Sequence, residues 1–339
     1  MNPTALNPAA LNPGADADDA RGLAAAVALA SRGRALTTPN PNVGCVLVRG
    51  GQVVGRGWTQ PGGRPHAEAM ALAAAGDEAR GATAYVTLEP CAHVSARGPA
   101  CTDALVAAGV ARVVGGLTDP DPRTAGQGFA RLRAAGIEVT EEIAATAART
   151  SLAPWLARRL HGRAFVTLKL AMSLDGMIAR TDGQSRWITG ERARAHGHIE
   201  RARHDAILVG RGTMEADAPR LDVRLAGLEA RRPRRLLLTS GKAPTGWTAV
   251  ASVAASVALS GIDVLLVEGG AKTAAAFLRA DRVDRLLLYR APILIGSGHP
   301  ALADIGLADL AAAHGRWQLS DSRMLGSDRL DVYDAVRED

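Results

Sequence analysis

The chain has 339 residues, enough for two domains of ordinary size, and its 47% hydrophobic and 22% charged residues are the balance of a globular protein. The formal net charge of +6 is carried almost entirely by arginine, since Lys169, Lys242 and Lys272 are the only lysines. Those arginines form no dense basic run and aromatics are only 3%, which argues against a base-stacking nucleic-acid platform and favours small phosphorylated ligands.

No stretch approaches the ~18 apolar residues of a membrane span, so no membrane partner is expected. The N-terminal run MNPTALNPAALNPGADADD lacks the basic start and apolar core of a signal peptide, so residues 1–18 are expected to be a disordered tail of a cytoplasmic protein. A helix follows over 20–34, with Asp18 and Asp19 available to cap it. VGCVLVR and VVGRG flank Gly50-Gly51 as a hairpin, HAEAMALAAA is helical and ATAYVTLE is a strand. CTDALVAAG and FARLRAAG read as helices alternating with the strands ARVVGGL and IEVT, the pattern of a layered α/β domain. Residues 141–162 look helical with Pro154 as a breaker, and the domain boundary is placed near 160, giving domains 19–160 and 161–339. A second α/β series runs from AFVTLKLAM (164–172) through a helix at 191–203 and strands AILVG, RRLLLTS, IDVLLVEGG and DRLLLYR. GRWQLSDSRM and DRLDVYDAV close it as an antiparallel pair.

The sharpest chemical signal is His66-Ala67-Glu68, then Pro90-Cys91, then Cys101. A zinc deaminase needs one imidazole and two thiolates on the metal, with a fourth position left for water. It also needs a glutamate that is not a ligand, to carry protons from that water to the ring and the leaving ammonia. His66 and Glu68 open a helix two residues apart, so one can bind metal while the other reaches the water. Cys91 follows a strand end, and a helix N-terminus would favour its thiolate. Nine residues separate Cys91 from Cys101, so the second thiolate has to return through a loop rather than by a short Cys-x-x-Cys. Cys45, in mid-strand, reads as core, and His93 is the one nearby candidate for a fourth protein ligand that would make the zinc structural.

The runs TTPNPNVGCVLV (37–48), PHAEAMAL (65–72), YVTLEPCAH (85–93) and TDPDPRTAGQGFARLRAAGIEV (118–139) resemble the deaminase half of the bifunctional deaminase–reductase family of riboflavin biosynthesis. LKLAMSLDGMIA (168–179), SRWITG (185–190), HDAILVGRGT (204–213), ADAPRLDVR (216–224) and VEGGAK (267–272) resemble its reductase half. By themselves, the Gly210-Arg211-Gly212 and Gly269-Gly270 segments signal only tight turns, the second suited to a phosphate at a helix start.

The resemblance implies a cytidine-deaminase-like α/β/α domain followed by a dihydrofolate-reductase-like α/β domain. It implies Zn2+ on His66, Cys91 and Cys101, Glu68 as the catalytic proton carrier, and Asn42 against the pyrimidine. In the second half it implies NADPH beside Ala171, Trp187, Thr213, Asp217, Ser240, Gly269 and Gly270. The substrate would meet Ser185, Arg201, Arg220, Leu221, Arg224 and Glu268, and guanidinium forks suit its sugar phosphate. Asp222 would be unhelpful beside a phosphate unless it points away, and it is left out of the expected site. The implied activity is deamination of a phosphoribosylated diaminopyrimidinone, then reduction of its ribosyl group. A deaminase of another pyrimidine with one half inactive is the alternative, and homo-oligomerisation stays open.

Overall fold

The computed structural model describes residues 17–93 and 98–337, and the chain divides into two compact units, 1–162 and 163–339. Residues 1–16 of the tail expected at 1–18, and part of the Cys91–Cys101 loop, lie outside the described residues, while Ala17 and Asp18 belong to a helix and not to the tail.

In the first unit, helix α1 (Ala17–Ala30) leads into the hairpin of β1 (Gly44–Arg49) and β2 (Gln52–Trp58). Then come α2 (Ala67–Ala75), β3 (Thr83–Val86), α3 (Cys101–Ala108), β4 (Arg112–Gly115), α4 (Gln127–Ala134), β5 (Glu138–Thr140) and α5 (Ala145–His161). The sheet order is β2-β1-β3-β4-β5, antiparallel through β1 and parallel from β3 to β5. Strand alternation sorts the core. Cys45, Leu47, Val86 and Val113 pack with Ala71 of α2, Leu105 of α3 and Leu132 of α4, while Val46, Tyr85 and Val114 face Leu23 and Ala26 of α1. A Cβ on Gly57 of β2 would stand 2.1 Å from the Ala67 carbonyl, so glycine is what lets α2 lie directly on the hairpin.

Two local expectations fail here. Asp18 and Asp19 do not precede α1; both lie in its first turn. Asp19 is buried and accepts both Arg112 guanidinium nitrogens at 2.7 Å, an ion pair that binds α1 to β4. Pro154 does not break its helix either: α5 runs through it, because Leu152, Trp155 and Leu156 are buried and hold both sides of the missing hydrogen bond in place.

The second unit opens with β6 (Phe165–Met172), β7 (Met177–Arg180), α6 (Glu191–Ala202), β8 (Ala206–Gly210) and α7 (Arg211–Asp217). It continues with β9 (Arg234–Leu238), β10 (Thr248–Val250), α8 (Val253–Ala258), β11 (Val264–Val267) and α9 (Ala271–Arg279). β12 (Arg285–Arg290), β13 (Gly298–Pro300), β14 (Trp317–Leu325) and β15 (Asp328–Ala335) complete it. Its eight-stranded sheet runs β10-β9-β8-β11-β6-β12-β15-β14, and β7 pairs with β13 as a separate ribbon. Only the last two pairings of the large sheet are antiparallel, which makes β14 and β15 the closing pair anticipated from the sequence. β8 and β11 are buried at every position, as central parallel strands covered on both faces must be. Gly210-Arg211-Gly212 is not a turn: Gly210 caps α7, which begins at Arg211.

Candidate active sites: a zinc centre and an arginine–glutamate site

α2 begins at Ala67, and the carbonyl of its N-cap, His66, accepts the first helical hydrogen bond from Met70 N at 3.1 Å. That position puts the imidazole at the helix start while Glu68, in the first turn, is buried. Pro90 and Cys91 follow β3, and Cys101 is the first residue of α3. The helix N-terminus expected to serve Cys91 is therefore the one opened by Cys101, whose backbone N–H donates to Cys91 Sγ at 3.3 Å.

His66 Nδ1 lies 3.3 Å from Cys101 Sγ and 3.7 Å from Cys91 Sγ, and the three ligand atoms all fall within 4.8 Å of one another. A tetrahedral zinc with ordinary Zn–N and Zn–S bonds needs ligand separations of about 3.6 Å. By themselves the two thiols share a single negative charge. Cys91 is pulled down to about 4, first by its hydrogen bond with the Cys101 thiol and then by His66. Cys101 is pushed well above the ordinary thiol value by that same neighbour and by burial. Two adjacent thiolates are stable here only with a positive ion between them, so the residues fit zinc. His93 is not gathered with the three; it lines the cleft and stands 3.5 Å from the Thr124 hydroxyl. Among the described residues the cluster thus has three protein ligands, which leaves a tetrahedral ion one open position.

Glu68 faces the same cleft, of about 410 Å3. Burial raises its carboxyl and the Cys91 charge adds to this, while His66 opposes it. A carboxyl held nearer neutrality can both take and return a proton. Arg64, Arg123 and Arg159 stand among the residues lining the cleft. Asn42 does not. Its amide donates to the Ala30 and Ser151 carbonyls at 3.2 and 3.3 Å, stapling α1 to α5, and the neighbouring Asn40 lines the cleft instead. Glu89, unremarked in the sequence, is buried and accepts four backbone N–H groups, from Asp119, Gly126, Gly128 and Phe129, at 2.8–3.3 Å. It fixes the 119–128 loop beside Cys91. In that loop Asp119 rises to about 6, chiefly through burial.

In the second unit the structure brings Glu268 and Arg201 together as a two-pronged pair, Nε and Nη2 each 2.8 Å from a carboxylate oxygen. Lys169 lies 3.9 Å from the same carboxylate and 5.7 Å from the Tyr289 ring centre. The sequence held a signal for Lys169, a lone charge in the apolar strand β6, that went unread. Burial pushes Glu268 up, but Arg201 and then Lys169 outweigh it and bring it to about 2. Arg201 Nη1 also donates to the Asp222 carbonyl at 3.2 Å, which joins the ADAPRLDVR segment to this centre.

That segment departs from expectation twice. The Leu221 side chain is buried in the core with Ile207 and Val209, so only its backbone can meet a ligand. Asp222 does not point away: its carboxylate lies 3.1 Å from Arg220 Nη2 and 3.4 Å from Arg224 Nε. Thr213 and Gly270 do meet, the Thr213 hydroxyl accepting the Gly270 N–H at 3.0 Å. A Cβ on Gly269 would stand 2.5 Å from Thr273, which requires glycine at the start of α9. Trp187, 64% exposed, stacks on the Arg194 guanidinium, and Asp217 pairs with Arg186 at 3.5 Å. Ala171 is half-buried on β6 opposite Tyr289, Ser185 is half-buried in the segment before α6, and Ser240 is exposed beyond the end of β9.

Residues 17–117 match the cytidine and deoxycytidylate deaminase zinc-binding region, and 164–252 with 250–330 match the RibD C-terminal domain. The riboflavin biosynthesis protein RibD of Escherichia coli is 38% identical over 90% of this chain and 96% of its own. That of Mycobacterium tuberculosis is 40% identical over 92% and 96%. The chain belongs to the RibD family. Among solved structures, Acinetobacter baumannii RibD superposes with a TM-score of 0.82 at 35% identity, over 94% of this chain and 99% of that one. A diaminohydroxyphosphoribosylaminopyrimidine deaminase/5-amino-6-(5-phosphoribosylamino)uracil reductase from Thermotoga maritima gives 0.83 at 30% identity, with the same coverage. As a family member the chain joins a zinc-binding deaminase half to a reductase half that uses NADPH. No helix among the described residues is long and apolar enough to cross a membrane.

Proposed function

We propose that the first unit deaminates 2,5-diamino-6-(5-phosphoribosylamino)pyrimidin-4-one to 5-amino-6-(5-phosphoribosylamino)uracil. The second then reduces the ribosyl group of that product to ribityl with NADPH. The observation that carries this reading is the three-ligand His66–Cys91–Cys101 cluster with a buried, non-ligating carboxyl, Glu68, facing the same cleft.

Zinc, when bound there, lowers the pKa of water so that a nucleophile is available near neutral pH. Glu68 takes the proton that this water gives up and passes it to the ring nitrogen, then takes the second proton from the new hydroxyl on the ring carbon and gives it to the departing amine, which leaves as ammonia. Its burial keeps the proton from being lost to bulk water between these transfers. Asn40 stands at the cleft wall in reach of the ring, and Asn42 keeps that wall in place from behind.

NADPH, when bound in the second unit, supplies hydride to the anomeric carbon. Thr213, Gly269 and Gly270 at the start of α9 would cradle the cofactor, with Ala171, Trp187, Asp217 and Ser240 around it. Arg201 and Glu268 form a fixed polar floor for the sugar, and Arg220 and Arg224 receive its phosphate, with Ser185 and the Leu221 backbone beside them. The abundance of guanidinium groups favours NADPH over NADH. The reading extends to action in the cytoplasm on a small phosphorylated pyrimidine, with no nucleic-acid or membrane partner.

The test is Glu68→Gln in the full chain, supplied with the diaminopyrimidine substrate or with its deaminated product. Zinc stays bound, ammonia release falls by at least ~10²–10⁴-fold, and NADPH oxidation on the deaminated product continues. Loss of zinc would make Glu68 a ligand, and wild-type ammonia release would remove it from the mechanism.

A further inference from the structure

We propose that Asp222 sets the anion affinity of the reductase site: a built-in carboxylate that occupies the Arg220–Arg224 pair until the substrate's phosphate displaces it. The inference rests on the assignment of those two arginines to the ribosyl phosphate.

The geometry has the anion inside and the cations outside. The Asp222 side chain is only 17% exposed, while those of Arg220 and Arg224 are 83% and 60% exposed. One carboxylate oxygen, Oδ1, is buried and accepts no hydrogen bond; its nearest cation is Arg224 Nε at 3.4 Å. Buried carboxylate oxygens ordinarily gather N–H or O–H donors, and one held by charge alone is weakly restrained. Its backbone, by contrast, is tightly fixed. Ala218 and Leu221 adopt φ of 40° and 50°, a conformation that side chains other than glycine's rarely take. The buried Leu221 side chain and the bond from Arg201 to the Asp222 carbonyl hold that conformation in place. His198 Nδ1, 3.1 Å from the same carbonyl, adds a third anchor. The carboxylate therefore cannot leave by moving the loop; the exchange takes place by side-chain rotation, chiefly of the two exposed guanidinium groups turning toward a ligand.

An incoming dianion thus meets arginines that are already partly neutralised, and it must settle beside a like charge. A small free anion has nothing else with which to offset that repulsion. A phosphate carried by the correct sugar and pyrimidine does, through the contacts made by the rest of the molecule. Asp222 lowers affinity for the substrate's phosphate and for a free anion by a similar factor, so it leaves their ratio unchanged but keeps free anions from filling the site at concentrations where the substrate, through its other contacts, still binds.

The experiment is Asp222→Asn in the full chain, with Asp222→Ser as a second neutral variant and retained NADPH binding as the check on folding. The KM for the phosphorylated deaminated substrate is compared with the KM for its dephosphorylated nucleoside, and inorganic phosphate is tested as an inhibitor. In both variants the phosphorylated-to-nucleoside KM ratio should fall about tenfold, the effect of removing one close like charge at a partly exposed site. Inorganic phosphate should inhibit about tenfold more strongly, in competition with the phosphorylated substrate and not with NADPH. A ratio equal to or above the wild-type value, or inhibition competitive with NADPH, overturns the proposal. Arg224→Ala separates the two layers of the argument. If it raises the ratio while the Asp222 variants do not lower it, Asp222 has no such role and the arginine assignment stands. If it leaves the ratio at the wild-type value, the phosphate does not bind at this arginine, and the proposal about Asp222 fails with that assignment.

Discussion

Replacing Glu268 by glutamine keeps the shape of the side chain and removes the charge that neutralises Arg201 and Lys169. The side chain is only 9% exposed, takes two 2.8 Å bonds from Arg201 and has Lys169 at 3.9 Å. Although burial pushes its pKa up, the two cations bring it from 4.5 to about 2. A group depressed on folding contributes stability at pH values above its unfolded pKa, and that contribution is lost as pH falls through the folded one. For Glu268 the stabilisation is complete above about pH 5 and drains away between there and pH 2, and it amounts to about 3 kcal/mol at neutrality. Glu268→Gln should therefore cost about 3–5 kcal/mol, since it also leaves the half-buried Arg201 without a counter-charge. Urea unfolding of the full chain at pH 7 reads the loss in the transition that NADPH shifts. Repeating it toward acid pH should show the wild-type and variant curves converging. A loss below about 1 kcal/mol, or curves that stay parallel in acid, would refute the view that this pair is a net stabiliser.

Three further outcomes follow from the first unit. Zinc should be present at about one ion per chain, and Cys101→Ser should strip most of it in a chelator competition, because one of three protein ligands is gone. Glu89→Gln turns an amide NH2 toward backbone N–H groups that need an acceptor. It should cost at least ~1.5–3 kcal/mol and raise KM for deamination while zinc content holds. Gly57→Ala forces a methyl into the Ala67 carbonyl; thermal unfolding should show a loss of about 1–3 kcal/mol, with weaker zinc retention as α2 is pushed off the hairpin.

Legibility in the sequence tracked the range of the interactions concerned. Continuous apolar runs such as AILVG named the central strands, because burial on both faces leaves no polar position to confuse the reading. The His66, Glu68, Cys91 and Cys101 constellation could be read because few other combinations of residue types serve that chemistry. Short elements at the margins were missed. β7, β10 and β13 are three or four residues long and carry little periodicity, and α7 starts on two glycines that look like a turn. Glu89 was invisible because its partners lie 30–40 residues onward and are backbone groups, identical in every residue. Asn40 and Asn42 are chemically equal in sequence, and only the fold decides which one faces the cleft. The direction of the Asp222 side chain was left open by the sequence, and only the fold sets its carboxylate beside Arg220 and Arg224.

Neither large sheet borrows a strand from the other half: β1 to β5 close one, and every strand of the other comes from beyond Arg163. A break in the gene between the codons for Gly162 and Arg163 would thus interrupt no ladder of backbone hydrogen bonds. Two shorter polypeptides could be inherited, expressed in different amounts, or swapped for halves from elsewhere, each still carrying its own sheet and core. A mutation that ruins one core need not poison the other, so such a lineage could lose or replace one activity without first rebuilding its neighbour.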